Sequence, residues 1–100
     1  MTRRVEVRVS DSFFEELEAQ LGVERGPAGE PSVTDFMVMD LPAIVERFAS
    51  GFDTLPEAIG GVSSVRMFIG TATLVRAFVV HGVEVDGGIV ELVGVELHVR

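Results

Sequence analysis

Leu74 to Arg100 reads LVRAFVVHGVEVDGGIVELVGVELHVR, and this stretch decides the fold. Two long runs rich in Val, Ile, Leu and Phe suit a pleated, half-buried surface. They are joined by Asp86-Gly87-Gly88, a sequence that supplies the positive φ angles of a tight hairpin turn. In the second run the odd positions Ile89, Val93, Val95, Leu97 and Val99 fall on one side, and Glu96, His98 and Arg100 on the other. A central antiparallel hairpin with one buried face is expected.

Working outward, Val65, Met67 and Ile69 alternate with Ser64, Arg66 and Phe68 and predict another strand, turned by Gly70-Thr71-Ala72-Thr73. The third strand then starts at Leu74 and runs to Val80, or through Gly82 to Val85. A glycine inside such a run marks a bulge or bend. At the other end, Arg3 to Val9 alternates Val5, Val7 and Val9 with Arg4, Glu6 and Arg8, the pattern of a half-buried strand. Ser12 and Glu15 have capping-box spacing. Phe13, Phe14, Leu17 and Leu21 form a helical stripe, with Gly22 as its stop. The Gly- and Pro-rich stretch 22–32 breaks regular structure and predicts a mobile loop.

Between 33 and 50 the period is unclear. Asp40-Leu41-Pro42 looks like a helix start, because proline is tolerated in the first turn. A helix over about 41–50 is expected, facing the core through Ile44, Val45, Phe48 and Phe52 and preceded by a helical turn from Thr34 or by a short strand at 35–39. Leu55 and Ile59 are expected to pin the following connection. The sum is a single α+β domain over 1–100, two-layered, in the order β-α-α-β-β-β, with an antiparallel C-terminal meander and two helices packed on one face.

Composition sets limits on function. A chain of 100 residues buries roughly 60–70% of its unfolded surface, enough for one core. Without cysteine there is no disulfide and no thiolate chemistry. Eight arginines, no lysine and sixteen acids give a net charge of −8, which opposes non-specific binding to a phosphate backbone. The opening MTRRVEVRVSDS has no signal-peptide core, and the longest apolar runs fall short of the ~18 residues of a membrane span. A soluble cytoplasmic protein is expected, with no membrane partner.

No phosphate loop, dinucleotide fingerprint, zinc pattern or nucleophile elbow is present. Gly60-Gly61 and Gly87-Gly88 read as turns. With His81 and His98 as the only histidines, no metal is expected, and no cofactor. One constellation remains: Arg66, Arg76, His98 and Arg100, with Glu96, on adjacent strands about 4.8 Å apart. Arginines can hold a phosphate while a histidine moves a proton, the requirement of phosphodiester cleavage. Alternatively, Arg66 and Arg76 pair with Glu91 or Glu96 across the sheet, a contribution of tenths of a kcal/mol each.

The layout resembles the RelE/ParE superfamily of toxins from type II toxin–antitoxin systems. RVEVRVSDSFFEELEAQL (4–21) looks like their first strand and helix. SVRMFIGTATLVRAFVVHG (64–82) looks like their central hairpin, and VELVGVELHVR (90–100) like their last strand. The resemblance implies a toxin neutralised by an antitoxin protein lying across the helices and sheet. In the RelE branch it implies cleavage of mRNA on the ribosome, with His98 as acid or base and Arg66, Arg76 and Arg100 on phosphate. In the ParE branch it implies binding of a protein target. Two further readings follow from the residues: a non-catalytic acidic binding module, immunity- or inhibitor-like, that masks a basic partner, and a homodimer formed through an exposed strand.

Overall fold

A glycine-centred turn and two irregularities in the strand ladder shape the sheet. In the computed structural model, which describes residues 3–27 and 29–98, the hairpin pairs β3 (Ala77–Asp86) with β4 (Ile89–His98). Gly88 takes φ +87° at the turn. β2 (Val65–Gly70) pairs antiparallel with β3, and β1 (Glu6–Val9) pairs parallel with β4, giving the order β1-β4-β3-β2. Helices α1 (Asp11–Gln20), α2 (Val33–Met39) and α3 (Leu41–Gly51), with a 3₁₀ turn at Phe52–Thr54, lie on one side of this mixed sheet. The α+β class and the element order match the expectation, with the second helical region divided into two helices at Asp40.

The core lies between these layers. Phe13, Phe36, Phe48, Phe52 and Phe78 are fully buried, together with Leu17, Ile44, Val80, Val90 and Leu92. Phe68 joins them edge-on to Phe48 and to Phe78. Gly82 lets Phe48 sit directly on β3: a Cβ there would stand 2.6 Å from Phe48 Cε1.

Several local expectations change. In β4 the buried side chains are Val90 and Leu92, then Val95, with Gly94 also buried at the change. Ile89 and Val93 therefore leave the face assigned from alternation. The cause is a bulge: His81 pairs with Gly94 but Gly82 with Leu92, so Val93 has no partner and the parity flips after it. Val99 lies outside the described residues. Helix α1 is capped by Ser10, whose Oγ accepts the Phe13 N–H at 3.2 Å, and not by a Ser12–Glu15 box. Ser12 Oγ instead donates to the Val93 carbonyl.

The reciprocal capping box belongs to α2. Ser32 accepts the Asp35 N–H while the Asp35 carboxylate accepts the Ser32 N–H. No strand forms at 35–39. The 22–32 stretch is closed at its base by the Val33 N–H on the Gly22 carbonyl, and within by Gly26 N–H on the Glu30 carbonyl. Strand β3 starts at Ala77 rather than Leu74, because the buried Asp40 carboxylate draws the Thr73 and Leu74 N–H groups toward α3. Leu55 is buried as expected, whereas Ile59 is 56% exposed. Arg3 precedes β1 and clamps Asp53 and Glu84.

The two sheet edges are closed by different means. Strand β1 accompanies β4 only as far as Leu92. Beyond that point α1 takes over: Glu16 Oε1 accepts the Val95 N–H (3.2 Å), and the Gln20 amide donates to the Val95 carbonyl (2.7 Å) and accepts the Leu97 N–H (2.6 Å). A primary amide offers the same donor and acceptor as a peptide group, so Gln20 stands in for a missing strand residue. On the far edge, Pro56 and Ala58 bond to Met67 and Val65 of β2.

Candidate protein-binding face

Of the four residues nominated for catalysis, the three that are described do not all converge. Arg66 points toward the helical layer. Its guanidinium carbon lies 5.8 Å from the Phe52 ring centroid. Its Nε donates to the Ser63 carbonyl (2.8 Å), and its Nη1 donates to the carbonyls of Leu55 (2.8 Å) and Asp53 (3.3 Å). Arg66 thus holds the 53–63 connection onto the sheet. It pairs with Gly82, six positions along the chain from Arg76, a separation of about 20 Å at ~3.3 Å per residue.

The backbones of Arg76 and His98 meet at the opposite end of the sheet, where His98 stands across from Ala77. The Arg76 N–H donates to the His98 carbonyl at 2.8 Å. The Arg76 side chain is exposed, and His98 Nε2 stands 3.9 Å from Glu96 Oε1. Arg100 lies outside the described residues. Neither Arg66 nor Arg76 pairs with Glu91 or Glu96 among the described residues.

The other arginines are engaged elsewhere. Arg4 binds Glu46, Arg8 binds Glu6, and Arg25 binds Asp35. Arg47 donates to the Gly51 carbonyl and to Thr54 Oγ1. Four acidic partners of Arg3, Arg4 and Arg25 are held below the usual carboxylate range. Asp35 is lowered to about 2, first by its bond from Arg25 and then by the Ser32 N–H. Glu46 is lowered by Arg4, and Asp53 and Glu84 by Arg3. Arg76 is the one described arginine whose head group has no partner in the fold. Among the described nominated residues, only Arg76 and His98 share one end of the sheet. No group of three or more acidic or histidine ligands able to hold a metal forms among the described residues, and no described helix is long and apolar enough to cross a membrane.

The larger feature is the face of the sheet turned away from the helices. Its residues alternate with the buried ones, and the ladder sets them in rows. Val65, Val83, Glu91 and Arg8 form the first row; Met67, His81 and Gly94 the second; Ile69, Val79 and Glu96 the third; Ala77 and His98 the last. Apart from exposed Ile69, the apolar members are half-buried, shielded only by their neighbours. Strands β2 and β3 thus carry an apolar stripe interrupted by His81. Strand β4 carries carboxylates. Glu16 of α1 reaches the same rim: a Cβ at Gly94 would lie 3.6 Å from both Glu16 Oε1 and His81 Nδ1. Glu91 has no hydrogen-bond or ion-pair partner among the described residues, and Glu96 has only the long approach to His98.

Alternation in the sequence carries the signal for this face, in Val65, Met67, Ile69, Val79 and Val83 opposite Phe68, Phe78 and Val80. Reading charged residues alone passes over it. Comparison with protein-family models, with curated proteins and with solved structures returns no match.

Proposed function

We propose that this chain is a non-catalytic protein-binding domain that receives its partner on the open face of the sheet. One observation carries the reading: an apolar stripe on β2 and β3 lies uncovered beside the carboxylates of Glu91 and Glu96 on β4. Contiguous exposed apolar surface rimmed by polar groups marks interaction sites. The net charge of −8 favours steered association with a basic partner, screened beyond ~8 Å at physiological ionic strength. Binding should therefore weaken steeply with added salt.

A second reading, a RelE/ParE-like toxin, is favoured by the backbone bond that brings Arg76 beside His98 at one end of the sheet. Both readings are tested by bacterial growth after tightly controlled induction of three versions: the native chain, Val79→Asp, and Arg76→Ala with His98→Ala. Arg66 is left intact because its loss would release the 53–63 connection. Arrest that Val79→Asp abolishes and the alanine pair retains is the outcome for a toxin acting on a protein target. Arrest lost only in the alanine pair points to RNA cleavage and overturns the protein-binding reading. Growth unaffected by the native chain removes the toxin reading and leaves the immunity- or inhibitor-like module.

A further inference from the structure

The dimensions and charge of the open face define its occupant. The apolar stripe is two strands wide, roughly 10 Å at the spacing of adjacent strands, which equals the 10–12 Å diameter of one α-helix with side chains. It runs from Ala77 to Val83 on β3, about 20 Å at ~3.3 Å per residue, or nearly four helical turns of 5.4 Å.

The carboxylates lie along one flank of this stripe at regular intervals. Glu91 is level with Val83, Glu16 reaches Gly94 level with His81, and Glu96 is level with Val79. Those rows are two residues apart, about 6.6 Å, close to the ~6 Å rise between positions i and i+4 of a helix. No described helix of this chain could supply the matching charges, since α1 and α2 have no basic residue and α3 has only Arg47. A second copy packed face to face about a two-fold axis sets β4 against its counterpart or, where the axis runs along the strands and the two stripes superpose, carries β4 past the partner's β2 edge. The first arrangement opposes rows of carboxylates, which is costly, and the second brings no cation to Glu91 or Glu96.

Building on the protein-binding reading, we infer that the open sheet face seats an amphipathic helix of a partner protein, with its apolar stripe over Met67, Ile69, Val79 and Val83 and with Lys or Arg at i, i+4 and i+8 facing Glu91, Glu16 and Glu96. The helix completes a third layer on the sheet. It brings cations to acids whose nearest basic neighbours in the fold are Arg8, beside Glu91 but bound to Glu6, and His98, 3.9 Å from Glu96.

The test uses the full chain and a designed helical peptide of about 20 residues, long enough to hold helix in water. The peptide carries Leu at i, i+3, i+4 and i+7 and Lys at the three flanking positions; a second peptide carries Glu there. Calorimetry gives affinity and amide NMR gives location, for the native chain and for the double variant Glu91→Lys, Glu96→Lys. The Lys peptide is expected to perturb Met67, Val79, His81 and Val83 and to bind at least about tenfold tighter than the Glu peptide, with the preference reversed in the double variant. Perturbation of the same residues without any charge preference overturns the basic-helix proposal and leaves the protein-binding face standing. Perturbation confined to other surfaces, or no binding, overturns both. A dimeric mass by light scattering that Val79→Asp returns to a monomer, with circular dichroism showing the variant folded, assigns the face to a second copy and overturns the proposal.

Discussion

The two faces of the sheet use the same kinds of residue for opposite ends. On one, Phe48, Phe52, Phe68 and Phe78 interlock, and Gly82 is bare so that Phe48 can reach the backbone. On the other, Val65, Met67, Ile69, Val79 and Val83 lie side by side with no layer above them. Burial turns apolar area into stability on the first face. The second keeps that area in water, where it contributes little to folding and remains available to a partner. A hydrophobic fraction of 47% therefore overstates the core, because part of it belongs to the open surface.

The sharpest way to break this comparison is to truncate one residue on each side. Phe48→Ala removes a fully buried ring and should destabilise by about 3–5 kcal/mol. Val79→Ala, one layer away, should cost under ~1 kcal/mol, since its side chain already meets water. Equilibrium urea unfolding of both variants checks the contrast. Similar losses would show that the second face is packed.

The edge comparison is the next in size. Gln20→Ala leaves the Val95 carbonyl and the Leu97 N–H without the amide that replaces a strand partner, a loss of about 1–2 kcal/mol. Hydrogen exchange at Leu97 should quicken, while the amides that β2 directs toward β3 keep their protection. Uniform acceleration across the sheet would mean that α1 does not act as a local edge cover.

How much of this was legible follows from how local each signal is. The Asp86-Gly87-Gly88 turn, the strand alternations and the stripe of Phe13, Leu17 and Leu21 depend on neighbours in sequence, and the element order follows from them. The parity change at Val93 could not be read, because it depends on which β3 residue stands opposite. The choice of Ser10 over Ser12 as cap depends on where β1 releases the chain. The Ser32–Asp35 box was hidden by Asp in the place where Glu or Gln is usual. Arg66 stands apart from Arg76 for a similar reason. Arg66 and Arg76 are close in sequence, but the 71–76 connection, drawn toward Asp40 at Thr73 and Leu74, leaves them far apart along the sheet. Carbonyls of the 53–63 connection, distant in sequence from β2's other neighbours, hold the Arg66 head group.

The smallest effect is expected in acid. Asp35 has its pKa lowered from 3.8 to about 2 in the folded chain, chiefly by Arg25. A carboxylate with a depressed folded value contributes stability above its unfolded pKa and loses it as pH falls through the folded one. Stability should decline between about pH 4 and pH 2, and Asp35→Asn should flatten that limb slightly, as seen in thermal melts across the range. Because the pair is exposed on the Arg25 side, the change is small. An unchanged slope would mean that Arg25 and the Ser32 N–H do not hold the Asp35 carboxylate in solution.

The most direct test of the central claim is to measure folding and binding side by side in one variant, Met67→Lys with Val79→Lys. An open interaction face predicts an unfolding free energy within about 1 kcal/mol of the native chain, together with loss of binding to the Lys-flanked amphipathic helix. A variant that fails to fold, or one that folds and still binds with native affinity, would contradict it.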